Sequence, residues 1–422
     1  MSVVLLAVGC TGCANFRRLG EDLKFIEKTH IITATIDNAS RYPRVYGVTV
    51  DWDREAGKID SADFSEIGDM GIFGFFVEGT ERHYLMAFSD SDDDGRYDEG
   101  EPAWIHTGAD GEAEPVSIEP GTGRARLRGR LSPATSLPAD CLAAARELRG
   151  DRNIEEVARG WRIPVELGTI AELDDPKFST ERGSMGYWEP ASYPMETGIG
   201  IYFLEAYDPT RIPVLFVYGA AGSPQDWRIF FERIDRRKYQ PWFLHYPTGR
   251  RLDETGTSLN NGVKILQSYY GFSKIHVVAH SMGGLVTRDF ILKNLGEGNR
   301  YIGRYVTIST PWGGQEFAES GVKRAPSVIP SWLDMVPGSD FQEQVFDHRL
   351  RGRVDHLLMY GHRSKRSLVL PKENDGTVSV KSQTDRRAAK DAVEVIGFDE
   401  DHVSILSNDE VLRHAFRHLD GG

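Results

Sequence analysis

The sequence predicts an α/β protein: a mostly parallel sheet over the C-terminal part of the chain, preceded by a small N-terminal β-sandwich domain. Three observations predict it. From Ile212 onward, continuous apolar runs alternate with amphipathic stretches, as strands buried on both faces and joined by helices do. Between Thr29 and Leu131, short alternating segments recur about every ten residues, separated by Gly, Asp and Pro, the spacing of an antiparallel sandwich. Between the two regions, Ser132 to Pro138 is rich in Pro, Ser and Thr and reads as a linker. The expected organisation is an N-terminal leader-like stretch and linker (1–28), the β domain (29–131), a linker with a short helix (132–160) and the α/β domain (161–422).

In the first domain, strands are expected at Ile31–Ile36, Arg44–Val50, Gly74–Val77 and His83–Phe88. Ala139–Leu148 is a short helix candidate. Ile212–Tyr218 is a continuous apolar strand. Asp226–Ile234 is expected to be helical, because Trp227, Phe230, Phe231 and Ile234 fall on one face. There follow a strand at Pro241–Tyr246, a helix at Leu259–Tyr270, a strand at Lys274–Ala279, a helix at Gly284–Leu295 and a strand at Tyr301–Ser309. His356–Tyr360 and Val393–Ile396 are later strand candidates. Ala325–Val336 carries Val328, Ile329, Trp332 and Leu333; it reads either as a mobile apolar lid or as core packing. Trp312 and Trp332 are the expected substrate-binding side chains.

Composition sets limits on partners. Of 422 residues, 40% are hydrophobic and 27% charged, which excludes a disordered chain, a collagen and a polytopic membrane protein. No run of about 18 apolar residues occurs. The net charge of 50 − 63 = −13 argues against a nucleic-acid partner, which needs a basic surface. Asp90 to Glu101 holds seven carboxylates and one arginine. Asp90, Asp92, Asp94, Gly95 and Glu101 occupy places 1, 3, 5, 6 and 12 of the acidic calcium-loop pattern. The segment is therefore either a structural Ca2+ site, with Asp90, Asp92, Asp94 and Glu101 as ligands, or a solvated hairpin loop.

Three cysteines, Cys10, Cys13 and Cys141, make neither a disulfide framework nor a zinc site. Val3 to Gly9 is a short apolar run ending before Cys10, and Thr11-Gly12 precedes Cys13. Short apolar residues, a small residue and a Cys resemble the end of a bacterial lipoprotein signal, although no Lys or Arg precedes the run. That resemblance implies a lipidated Cys10 (or Cys13), membrane attachment and a place in the bacterial cell envelope. The alternative is a buried first strand.

The motif that carries chemistry is Ala279-His280-Ser281-Met282-Gly283-Gly284. It is G-x-S-x-G with Ala in the first position, between an apolar strand and a helix, which is the context the motif requires. Ser281 is the candidate nucleophile. A serine needs a general base, and the base an acid. His402 in Asp401-His402-Val403 and Asp375 in Asn374-Asp375-Gly376-Thr377-Val378 follow the two late strands in the order Ser, Asp, His. Asp375 also fits a plain turn before Gly, with Asp355, Asp399 or Asp401 as the acid instead. Small residues in Tyr218-Gly219-Ala220-Ala221-Gly222 point to the Ala220 and Met282 amides as the oxyanion hole. His280 is expected to be non-catalytic, with its side chain pointing away from the reacting face, and His245, His276, His356 and His362 are expected to be core or surface residues.

With these motifs, the stretch from about Ile212 to the C-terminus resembles the α/β-hydrolase superfamily on its lipase and esterase side. Pro213–Gly219 resembles the family's oxyanion strand and turn, with Tyr218 where His is usual. Ser309-Thr310-Pro311-Trp312-Gly313-Gly314 and Met335-Val336-Pro337-Gly338-Ser339 resemble the turn after the sixth strand and the segment after the lid. The resemblance implies an α/β-hydrolase fold and hydrolysis of a small-molecule or lipid carboxylic ester through an acyl-enzyme, with no cofactor for catalysis. An acyltransferase on the same scaffold is one alternative. A calcium-dependent surface-binding protein with an inactive hydrolase domain is the other.

Overall fold

The structure, a computed structural model, describes residues 11–79, 82–119, 123–138, 142, 165–364 and 370–421. Cys10, Cys141 and nearly all of the expected helix Ala139–Leu148 lie outside these residues. The chain divides into two units: Leu23–Val165, and Glu166–Gly422 together with the chain up to Asp22.

The smaller unit contains β1 (Thr29–Ile36), β2 (Val45–Asp53), β3 (Lys58–Ile67), β4 (Ile72–Glu78), β5 (His83–Ser89), β6 (Ala103–Ile105) and β7 (Arg124–Gly129). They form a three-stranded sheet, β4-β1-β7, and a four-stranded sheet, β3-β2-β5-β6. Alternation along the strands explains the packing. Ile32, Ala34 and Ile36 of β1 and Phe73, Phe75 and Val77 of β4 share one apolar cluster with Val45, Leu85 and Ala87 of the other sheet. The opposite faces of β2 and β5 place Tyr46, Val48, Val50, Tyr84, Met86 and Phe88 in a second cluster. The expected all-antiparallel pairing fails at one place: β1 and β7 run parallel, Ile31 opposite Arg124. A parallel pair needs a long crossover rather than a tight turn. Arginine stands at every second position from Arg124 to Arg130, so β7 lacked an apolar strand signal.

The expected linker at 132–138 is instead part of this unit. Ser132 and Ala103 exchange backbone hydrogen bonds of 2.9 and 3.0 Å. Leu137 is buried, and the Tyr97 hydroxyl donates to Thr135 O and accepts from Leu137 N, both at 3.3 Å. Two buried leucines, Leu131 and Leu137, hold down a stretch that its composition alone marks as free.

The larger unit carries β8 (Val165–Ile170), β9 (Ile199–Phe203), β10 (Ile212–Val217), β11 (Tyr239–His245), β12 (Ile275–His280), β13 (Ile302–Ile308), β14 (Asp355–Gly361) and β15 (Glu394–Phe398). Their order is β15-β14-β13-β12-β10-β11-β9-β8. β10 to β15 are parallel, and β9 is antiparallel to β11. β8 and β9 had no sequence signal: β9 is five residues long and contains Gly200, whose φ is +150°. The central strands are wholly buried, with Val214 to Val217 and Val277 to Ala279 at 0% exposure. Helices Leu252–Tyr270 and Met282–Gly296 pack against each other. Phe216 meets Trp227, Phe230 and Phe231 at ring distances of 5.2, 6.0 and 5.0 Å, each buried ring contributing roughly 1.5–3 kcal/mol of apolar burial. This is the α/β-hydrolase fold.

A helix, Thr11–Lys28, stands where a leader and linker were expected, with Cys13 in its first turn. Its residues up to Asp22 dock on the larger unit. Phe16 packs edge-on against Trp188 at 5.2 Å, Leu19 is fully buried, and the Asp22 carboxylate accepts from Ala191 N, Ser192 N and Ser192 Oγ at 2.8, 2.9 and 2.6 Å. Phe16, Leu19 and Asp22 fall three residues apart, on one helical face.

Candidate active site

β12 delivers the chain to a tight turn. Ser281 has φ +52° and ψ −130°, a sparsely populated conformation that stores strain where the surroundings enforce it. They do so here from two sides. Ser281 N donates to Ile308 O of the neighbouring strand at 2.8 Å, and Gly284 N closes the turn on Ser281 O at 2.9 Å. A Cβ on Gly283 would lie 2.5 Å from the carbonyl oxygens of both Val217 and Tyr218, so only glycine lets the helix start this close to β10. Helix Met282–Gly296 begins directly behind the hydroxyl, its free N–H groups and dipole facing it.

The two later loops bring their side chains to the same point. His402 Nε2 lies 2.9 Å from Ser281 Oγ, and His402 Nδ1 lies 2.7 Å from Asp375 Oδ2. A carboxylate only accepts, so Nδ1 carries the hydrogen and Nε2 is left to accept from the serine. Asp375 is fully buried. Its other oxygen, Oδ1, accepts from Thr377 N at 2.9 Å and Val378 N at 2.7 Å. The turn reading and the acid reading of this residue are thus both realised, one oxygen each. Burial pushes its carboxyl up, but the His402 ring and the two amides outweigh that and hold it below the usual carboxylate range. The rival acids are engaged with other partners. Asp355 and Asp399 pair with Arg304 and Arg363, and Asp401 Oδ1 caps Val403 N and Ser404 N.

The loop carrying His402 is braced. His402 N donates to Asp375 O at 2.9 Å. His280 Nε2 donates to His402 O at 2.8 Å. Burial lowers the His280 ring to about 3, so it stays neutral and keeps the hydrogen on Nε2. The His280 ring, 4.8 Å from the His402 ring, thus borders the site instead of pointing away from it. Its neighbours in sequence gave no signal for that role. His245 and His356 are buried core residues, as is His276 apart from its acceptor bond to Arg304 N.

Gly219 faces Ser281: a Cβ there would lie 2.7 Å from Ser281 Cβ. Ala220 follows it and is exposed, while Ala221 has φ +55° and donates to Thr248 Oγ1 at 3.0 Å. Met282 is the first residue of its helix, where the amide has no intrahelical acceptor.

Two expected pocket residues are placed differently. Trp312 is fully buried, between Phe346 at 6.0 Å, His356 at 5.7 Å and the Arg288 guanidinium at 5.9 Å. It is a core side chain and has no face to offer a substrate. Trp332 is part-exposed, donates to the Tyr187 hydroxyl at 2.5 Å and lies 6.4 Å from Phe16. Its segment is pinned at several points: Ile329 is fully buried, Ser331 N donates to Gly249 O at 2.9 Å, and the buried Asp334 accepts from Leu252 N at 2.7 Å and pairs with Arg251 at 2.6 Å. Leu333 alone of its four apolar side chains is exposed.

In the smaller unit, carboxylate oxygens of Asp90, Asp92 and Asp94 lie within 4.8 Å of one another. Glu101, the expected fourth ligand, is not among them. Its oxygens accept from Ser91 N at 2.5 Å and Asp98 N at 3.1 Å. The buried Asp90 likewise accepts from Asp94 N and Gly95 N at 3.1 and 2.9 Å. Internal hydrogen bonds therefore occupy oxygens that the calcium pattern would assign to a metal.

Residues 257–320 match the family model described as lecithin:cholesterol acyltransferase, a span that contains the Ser281 turn. No curated protein matches the chain. Among solved structures, the chain is similar to the mature form of the lipase BlEst2 of Bacillus licheniformis, with 20% identity over 51% of this chain and 94% of that one, at a TM-score of 0.41. It is similar to the lin2722 gene product of Listeria innocua, with 15% identity, coverages of 50% and 95% and a TM-score of 0.40. A membrane phospholipase A described as a bacterial virulence factor shares 17% identity, with coverages of 52% and 82% and a TM-score of 0.34.

Proposed function

We propose that this chain is a serine hydrolase that cleaves carboxylic esters through an acyl-enzyme. The observation that carries the reading is the continuous path Ser281 Oγ to His402 to Asp375, with separations of 2.9 and 2.7 Å. Ser281 Oγ attacks the ester carbonyl while His402 Nε2 takes its proton. Asp375 fixes the tautomer and stabilises the imidazolium. The Ala220 and Met282 amides receive the oxyanion. His402 returns the proton to the leaving alkoxide, then activates water to release the acid and regenerate the serine. The substrate is a hydrophobic or lipidic ester. A second reading, transfer of the acyl group to an alcohol instead of water, is favoured by the match of the nucleophile-bearing span to an acyltransferase family model. If Cys10 or Cys13 is lipidated, the enzyme is held at a bacterial envelope, and metabolic labelling with palmitate tests that.

The discriminating experiment is labelling with a fluorophosphonate, together with turnover of p-nitrophenyl esters of graded chain length. Labelling lost in Ser281→Ala is expected. A native chain that neither labels nor turns over any ester refutes the reading and favours a binding role. Product analysis with added alcohols separates hydrolysis from transfer.

A further inference from the structure

Tyr218 departs from the histidine usual at its position, and the structure gives that tyrosine an unusual set of partners. It follows β10, immediately before Gly219. The β10–β11 backbone ladder ends at Phe216 opposite Phe243. Beyond that pair, the two strands are joined by reciprocal tyrosine bonds. The Tyr218 hydroxyl accepts from Tyr246 N at 2.9 Å and donates to Tyr246 O at 3.1 Å. The Tyr246 hydroxyl donates to Tyr218 O at 2.7 Å. The rings stack at 4.9 Å with 27° between planes. Each side chain thus ties the other's backbone, and both are almost wholly buried.

The clamp bears on the reacting centre. The Tyr218 carbonyl that Tyr246 holds is the one that faces Gly283 in the first turn of the nucleophile helix. It belongs to the peptide that leads into Gly219, which touches Ser281, and Ala220 comes next. Below the pair, the Tyr193 hydroxyl lies 3.0 Å from His245 Nε2. Burial lowers His245 to about 3 and pushes the hydroxyls of Tyr193, Tyr218 and Tyr246 up. The cluster therefore stays uncharged at any working pH, and its hydrogen bonds do not depend on protonation.

We propose that Tyr218 and Tyr246 are positioning residues: their reciprocal clamp fixes the peptide plane at Tyr218–Gly219 and so aims the Ala220 amide at the developing oxyanion. This deepens the serine-hydrolase reading and rests on it. Neither tyrosine touches substrate in this role. Releasing the Tyr218 carbonyl lets the turn drift, and displacements near 1 Å at a reacting centre cost about 10²-fold.

The test compares Tyr246→Phe, Tyr218→Phe and, as a remote hydroxyl deletion, Tyr239→Phe, whose hydroxyl bonds Asp420 at 2.9 Å. Rates are expressed per serine titrated with fluorophosphonate, so an unfolded fraction does not count. The two clamp variants are expected to keep KM within about twofold and to lose about 10- to 100-fold in kcat. Affinity for an alkylboronic acid, whose serine adduct presents a tetrahedral oxygen to the hole, falls by the same factor. Tyr239→Phe leaves all three quantities unchanged. If the native chain titrates and turns over but the clamp variants match it in kcat and boronate affinity, the clamp proposal is overturned while the hydrolase reading stands. A change confined to KM or to the melting temperature overturns the clamp in the same way. A native chain that does not titrate overturns both.

Discussion

Asp375→Asn is the sharpest perturbation of the proposed site, because the surroundings dictate how the amide must sit. Thr377 N and Val378 N both donate to Oδ1, at 2.9 and 2.7 Å. In the variant the amide oxygen has to stay there, since an NH2 group cannot accept. The Nδ2 group is then forced to the Oδ2 position, 2.7 Å from His402 Nδ1. It can only donate, so His402 must carry its hydrogen on Nε2 and can no longer accept the Ser281 proton. Fold and packing are kept while the base is removed. Loss of the correct tautomer costs about 10⁴ in kcat, equivalent to about 5.5 kcal/mol in the barrier. Turnover of a p-nitrophenyl ester, normalised to folded protein, is paired with nitrogen NMR of the His402 ring. Nδ1–H is expected in the native chain and Nε2–H in the variant. A variant that retains a tenth of the native rate, or whose imidazole keeps Nδ1–H, rules out this tautomer mechanism.

Other predictions concern the scaffold. Arg288 and Asp391 are buried at 0% and 3% side-chain exposure and paired at 2.6 Å, and Arg288 ties helix Met282–Gly296 to the chain at Val345 and His348. Arg288→Met should cost about 3–5 kcal/mol by stranding a buried carboxylate, and adding Asp391→Leu should restore much of it; urea unfolding of both variants checks this. Burial raises the Asp289 carboxyl from 3.8 to about 6 against the pull of Lys293. A raised acid stabilises the fold below its unfolded pKa, and that stability is lost as pH rises through the folded value. Melting temperature should therefore carry a downward contribution between pH 4 and 6 worth up to about 3 kcal/mol, absent in Asp289→Asn; parallel profiles for the two proteins contradict it. For the acidic loop, the expected calcium site predicts that chelation lowers the melting temperature of the native chain and not of Asp92→Asn combined with Asp94→Asn. Equal melting with calcium and with chelator removes the site.

What the sequence revealed follows from the range of each signal. The elbow is local: an apolar strand, Ala279, Gly283 and a helix start lie within a few residues, so the turn and its neighbours could be read directly. Parallel strands β10 to β13 announce themselves because they are apolar on both faces. Asp375 and His402 could be named because each lies in a loop after a late strand, in the chain order Ser, Asp, His, although β15 before His402 is largely exposed. Signals failed where burial is decided by distant residues. Trp312 looks like a pocket aromatic in its own turn, yet Phe346 and His356 close over it. Leu131 and Leu137 anchor a Pro-rich stretch whose composition suggests a free linker. The Tyr218–Tyr246 clamp joins residues that follow two separate strands, and nothing in either segment alone announces it. Glu101 occupies the right place in the acidic pattern, but the nearby Ser91 and Asp98 amides claim its oxygens.

The proposed chemistry requires that one serine become covalently acylated. Rapid mixing with a p-nitrophenyl ester, acid quenching and mass spectrometry of the digested chain detect that species itself. An adduct of the acyl mass is expected on the peptide containing Ser281, absent in Ser281→Ala and accumulating when water attack is slow. An adduct on any other residue, or steady turnover by the Ser281→Ala chain, would contradict it.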